Sequence, residues 1–120
     1  MNILPNAHLA IVPIEKLQDY SLDPSNDYGK SKARVFAAAL GIHREDAVRL
    51  QKAVMEAVPH HPCRRGPSSI YGAKYVVDMI LSMGEKSAYV RTAWLVPVGK
   101  DAPRLISIYV LPSKAWEPKQ

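Results

Sequence analysis

Three runs of β character follow one another between residues 70 and 111, and they constrain the fold more than anything else in this chain. Residues 70–82, 87–98 and 104–111 are rich in β-branched and aromatic side chains. They are separated only by "MGEK" and "GKDAP". Connections that short suit hairpins, because a parallel return needs a dozen residues or more. The expected sheet is an antiparallel meander.

The chain upstream reads as helices. Residues 14–20 form a short one, stopped by "SLDPSNDYG". "KSKARVFAAALG" is a second, closed by Gly41 where a C-terminal cap is favoured. Ala33, Phe36, Ala37 and Leu40 fall at helical spacing, and Val35, Ala38 and Ala39 are also apolar, so this helix is expected to be well buried. The third starts near His43 and Asp46, a partial capping box, and carries Ala47, Leu50, Val54 and Val58 as its core stripe. "PHHPCRRGPSS", residues 59–69, reads as loop because its prolines interrupt regular structure. The tail, 112–120, is expected to fray, with Trp116 able to dock back. Helices before strands give an α+β class: N-terminal helices packed on one face of an antiparallel sheet of three or more strands. Phe36, Leu40, Leu50, Val54, Val90 and Trp94 are the expected core.

A length of 120 residues suits one domain, 1–120. With 48% hydrophobic and 22% charged residues the chain can bury a core, which argues against disorder. The single Cys63 excludes an intramolecular disulfide framework and fits a reducing compartment. "MNILPNAHLAIVPIEKL" is broken by Pro5 and Pro13 and has no basic leader, so neither a signal peptide nor a membrane span is expected. The expected location is cytoplasmic. A net charge of +5 favours RNA or another phosphate-bearing polyanion as partner.

"AYVRTAWLVPVG" raises the chemical question, since it places a cation mid-strand. Alternation puts Val90, Thr92, Trp94 and Val96 on one face and Tyr89 and Arg91 on the other. If the first set meets the helices, Ile106, Ile108 and Val110 join it, while Ser107 and Tyr109 share the open face with Arg91. Asp78 and Tyr75 stand on opposite faces of the first strand, and the sequence leaves open which joins Arg91. Arg91 either pairs with Asp78 as a structural device or clamps a phosphate through its planar fork. In the second case Tyr89 and Tyr109 offer stacking surfaces for single-stranded RNA. No histidine falls in the patch, so acid–base work would rest on Lys, Tyr or Asp.

Lys30, Lys32 and Arg34 crowd the first turn of the second helix, where the macrodipole already disfavours cations. Either an anion is kept there, or the side chains reach into water or pair with Asp23 and Asp27. "HHPCRR" offers His60, His61 and Cys63, but no second cluster completes a zinc site. Arg64 and Arg65 could lower the Cys63 pKa, yet no fixed base accompanies it. A solvated basic loop is the expectation, with no metal and no cofactor.

The stretches "LPNAHLAIVPIEKLQDYSLDP", "GKSKARVFAAALG", "YGAKYVVDMIL" and "VRTAWLVPVGKDAPRLISIYVL" resemble a family of small uncharacterised bacterial domains. The likeness runs from Leu4 to Leu111. Its members stand alone or end larger proteins, some toxin-like. The resemblance implies shared roles for Lys32, Arg34, Tyr71, Tyr75, Asp78, Arg91, Thr92, Trp94, Arg104 and Tyr109. His43 departs from the pattern, which usually has a threonine cap there, and "HHPCRR" falls where the pattern is not fixed. The order of elements is also similar to the barnase, colicin and RelE-like group of small ribonucleases, a likeness of layout.

The expectation is a small toxin-type, metal-independent ribonuclease of a toxin–antitoxin-like or polymorphic toxin system, with a cognate protein encoded nearby. Arg91 and Lys32 would stabilise charge at phosphorus, Tyr109 or Tyr75 would position or protonate, and Asp78 would orient Arg91. Lys30, Arg34, Tyr89, Ser107 and Arg104 would hold the RNA. The alternative is a non-enzymatic neutralising partner or protein-binding module of such a system.

Overall fold

The computed structural model describes residues 2–112. The expected tail, Trp116 included, lies outside them from residue 113 onward. The helical part opens with α1 (Ile14–Lys16), which widens into a π turn over Leu17–Ser21. Then come α2 (Lys30–Leu40) and α3 (Ala47–Ala57). Four strands follow: β1 (Cys63–Arg65), β2 (Gly72–Met83), β3 (Lys86–Pro97) and β4 (Arg104–Val110). They pair antiparallel in the order β1-β2-β3-β4, with α2 packed on β3 and β4 and α3 on β2.

The longest hairpin is built around Gly84-Glu85. Gly84 takes φ 61°, a conformation that costs glycine little, and Met83 pairs with Lys86 across the turn. The register then runs unbroken to Gly72 opposite Pro97. Val77, Met79 and Leu81 from β2, with Ala88, Val90 and Trp94 from β3, fill the helix-facing side. Phe36, Leu40, Leu50 and Val54 meet them in one cluster, as the periodicities require. Burying each large apolar side chain contributes roughly 1.5–3 kcal/mol. Thr92 is also fully buried, and its Oγ1 accepts from Trp94 Nε1 at 2.8 Å and donates to the Val77 carbonyl at 2.7 Å.

Three expectations need correction. Residues 63–65 are not loop: they form an edge strand on β2, further anchored by Cys63 N–H donating to the Asn2 carbonyl at 2.7 Å. Helix α2 buries one stripe only, Ala33, Phe36 and Leu40, while Val35 is 43% exposed. Ile106 is not a core residue. A bulge opposite Ala93 and Trp94 inserts one extra residue into β4, so Leu105 takes the core place beside Trp94 and alternation restarts at Ser107. Just before α2, Asn26 Oδ1 accepts the Tyr28 and Gly29 N–H groups, each at 2.9 Å, which shapes the entry to the helix.

A candidate anion cleft at the edge of the sheet

Register decides the open face. Asp78 pairs with Arg91, and Arg91 pairs with Tyr109, so these side chains cross three strands in one row. Arg91 donates from Nε to Asp78 Oδ1 at 2.8 Å and from Nη2 to Oδ2 at 3.0 Å. Arg64, from β1, adds a bond to Asp78 Oδ2 at 3.2 Å. The hydrogen bond from Arg91 holds the Asp78 carboxyl below its usual range, against the opposing effect of burial. The same bond raises Arg91, which also bonds to Tyr109. The planar fork of Arg91 is therefore filled by a carboxylate of the protein itself.

Tyr75 is on the other face. It stands opposite Trp94 and Arg65, with the Arg65 guanidinium carbon 5.4 Å from its ring centroid. The sheet lies between Tyr75 and Tyr109, which removes Tyr75 from any site built around Arg91. Tyr89 is on the face of Arg91, opposite Ile80, and Arg104 sits exposed at the start of β4 beside Leu95.

Lys32 stands beside this row without a carboxylate. Its Nζ lies 5.1 Å from the centroid of the Tyr20 ring and 5.5 Å from that of Tyr109. Ser107 Oγ is 3.5 Å away. Among the described residues no acidic group is within ion-pair distance of Lys32. Burial lowers its pKa, and the neighbouring charge of Lys16 lowers it further. The two lysines open onto a cleft of about 340 Å³ between the π turn and β4, lined also by Tyr20, Ser107 and Ile106. Ser21 fixes the wall, donating from Oγ to the Ile108 carbonyl at 3.4 Å. Paired ammonium groups, a serine hydroxyl and aromatic faces suit an anion carried on a larger ring-bearing ligand.

Gly29 makes this arrangement possible. A Cβ there would overlap the Tyr20 carbonyl, so only glycine lets α2 start this close to the π turn. Lys16 and Tyr20 were not expected in the site. Their four-residue spacing on one helix face was visible in the sequence, but the packing of that helix on the edge of β4 was not.

The other expected residues separate. Lys30 and Arg34 share the opposite flank of α2 and do not line the Lys32 cleft. Asp23 does not pair with them, because Ser25 holds it through both N–H, at 2.9 Å, and Oγ, at 2.7 Å. In "HHPCRR", His61 Nδ1 lies 3.0 Å from the Ala57 carbonyl oxygen, and Ile80 N–H reaches Nε2 at 3.5 Å. Burial pushes the Cys63 thiol up, away from thiolate reactivity. His43, Glu45 and Asp46 cluster with ligand atoms within 4.8 Å of one another. Asp46 there serves the helix start, accepting the His43 N–H at 2.9 Å. No helix among the described residues is long and apolar enough to cross a membrane.

Fold and cleft together define a small basic α+β domain with a lysine-rich site at a sheet edge. The chain belongs to the family described as "Domain of unknown function (DUF6883)", whose pattern matches residues 3–112. No curated protein and no solved structure matches it.

Proposed function

We propose that the protein binds RNA in the Lys16–Lys32 cleft and cleaves it as a small, metal-independent, toxin-type endoribonuclease. The observation that carries the reading is Lys32: an ammonium group held between two tyrosine rings, beside Ser107 Oγ, with no carboxylate to neutralise it. A phosphodiester supplies the missing charge, and the rings supply surfaces for bases, a pairing common in single-strand binding. In the cleavage step the ribose 2′-oxygen attacks phosphorus and the bond to the 5′-oxygen breaks. The product ends are a 2′,3′-cyclic phosphate and a 5′-hydroxyl. Lys32 stabilises charge on the phosphoryl oxygens, and Tyr109 donates a proton to the departing oxygen while the 2′-proton leaves to water. Arg91 positions Tyr109, and Asp78 orients Arg91.

A second reading, a non-enzymatic protein-binding module, draws on the same row. The Arg91 fork is already occupied by Asp78, and Ile80 on that face is 49% exposed. End-labelled single-stranded RNA incubated with the protein, with and without a chelator, separates the two. Chelator-resistant cleavage lost in Lys32→Ala supports the ribonuclease. Binding that is lost in Lys32→Ala without any cleavage leaves an RNA-binding module, and no binding at all removes RNA as the ligand.

A further inference from the structure

Helix α2 distributes its cations between two clefts. Lys30 and Arg34 are four residues apart and share a face, whereas Lys32 is turned to the edge of β4. The Lys30–Arg34 face borders a second cleft, of about 420 Å³, closed on the far side by the connection that precedes α3. Its floor is aliphatic: Leu22 and Ala33 belong to the core, and Pro24 and Ala37 extend the surface. Lys30 and Arg34 line one wall, and neither has an ion-pair partner among the described residues. Arg44 on the opposite wall is held in place, donating to the Gln18 carbonyl at 2.9 Å and to Asp19 Oδ1 at 2.8 Å. Glu45 sits beside it.

We propose that this cleft binds a short acidic segment of a partner protein. One aliphatic side chain of that segment rests on Leu22, Ala33 and Ala37, and its flanking carboxylates meet Arg34 and Lys30. The volume suits a side chain and its neighbours, within the range of ligand pockets. Charge complementarity selects an anionic partner for a wall with two unpaired cations on a chain of net charge +5. Two features favour peptide over nucleic acid. The one aromatic ring lining this cleft is the His43 imidazole, a smaller platform for a base than the two tyrosine rings beside Lys32, and Glu45 repels a continuous phosphodiester chain. A peptide can place its carboxylates on one side only.

The test uses a fluorescein-labelled peptide of alternating leucine and glutamate, with oligouridylate as the competing probe, and reads fluorescence anisotropy. The expected result is saturable, salt-sensitive peptide binding that falls at least about ten-fold in Arg34→Glu and is unchanged in Lys32→Ala. A peptide with serine in place of leucine should bind about ten-fold more weakly, because the floor then contributes nothing. Ala37→Trp fills the floor and should also abolish binding; a melting curve establishes that this variant is folded. Equal binding by the serine peptide, equal binding by Arg34→Glu, or no peptide binding at millimolar concentration overturns the proposal. So does oligouridylate binding that depends on Arg34 and displaces the peptide. The two sites fail independently, since Lys32→Ala reports on RNA and Arg34→Glu on the acidic segment.

Discussion

Arg91 and Asp78 are joined twice across the β2–β3 ladder, Nε to Oδ1 at 2.8 Å and Nη2 to Oδ2 at 3.0 Å. Their side chains are 33% and 22% exposed, so the pair is partly desolvated rather than a surface contact. Removing either partner leaves the other short of hydrogen bonds in a half-buried place. Arg91→Ala and Asp78→Ala should each cost about 1.5–3 kcal/mol. The double variant should cost less than the two together, with a coupling of roughly 0.5–3 kcal/mol. Chemical denaturation of the three variants measures this, and additive losses would show that the pair does not act as a unit.

The same pair sets an acid limit. The Asp78 pKa is lowered on folding, so the folded protein binds that proton less readily than the unfolded chain. Its contribution is complete above the ordinary carboxylate value of 3.8 and is lost as pH falls through the lower folded value. Wild type should therefore exceed Asp78→Asn in stability at about pH 6, with the gap closing toward about pH 2. A gap that stays constant across the acid range would remove Asp78 as its source.

Lys32 governs the alkaline side. Its lowered pKa means that the ammonium, the form that attracts phosphate, is lost at a pH below the ordinary 10.5. Affinity for single-stranded RNA should fall as pH rises through that lowered value. Lys32→Arg should hold its affinity to higher pH, because guanidinium keeps its charge. For the free protein the sign is reversed. The unfolded chain holds the Lys32 proton more tightly, so stability gained from this group rises with pH over the same interval. Binding titrations across that range check the first statement, and melting curves of wild type against Lys32→Met check the second.

Gly29→Ala should damage the cleft from a distance. The new methyl overlaps the Tyr20 carbonyl, a backbone atom that cannot swing aside. Overpacking of this kind costs about 1–3 kcal/mol. The π turn and α2 should separate, carrying Tyr20 away from Lys32, so RNA affinity should drop even though Gly29 touches no ligand. A variant with unchanged melting temperature and affinity would refute the role given to this contact.

Much of the sheet was legible because its connections are short. The hairpin itself follows from its short connection, but the face of Asp78 does not: the pairing of Met83 with Lys86 is what brings Asp78 opposite Arg91. The sequence could not reveal the phase of β4. Period-two reading assigns Ile106, Ile108 and Val110 to one face, and a bulge leaves no mark in hydrophobic alternation. It could not reveal β1 either: "CRR" is too short and too polar to show a pattern, and its pairing depends on β2 and the Asn2 carbonyl. The cleft was half legible. Lys32, Tyr109 and Ser107 stood out as local oddities, whereas Lys16 and Tyr20 joined them only through tertiary packing. Lys30 and Arg34 were grouped with Lys32 because adjacency in sequence hides the rotation of a helix.

The bulge has one more effect, on the length that β4 can tolerate. Ile106 is the supernumerary residue of β4 and forms part of the cleft wall. Excising it would let Leu105 and Ser107 follow each other directly opposite Trp94 and Ala93, with every remaining side chain on the face it already occupies. The cleft would lose one wall while the ladder became regular. Deleting this one residue should therefore change the breadth of the cleft and spare the architecture.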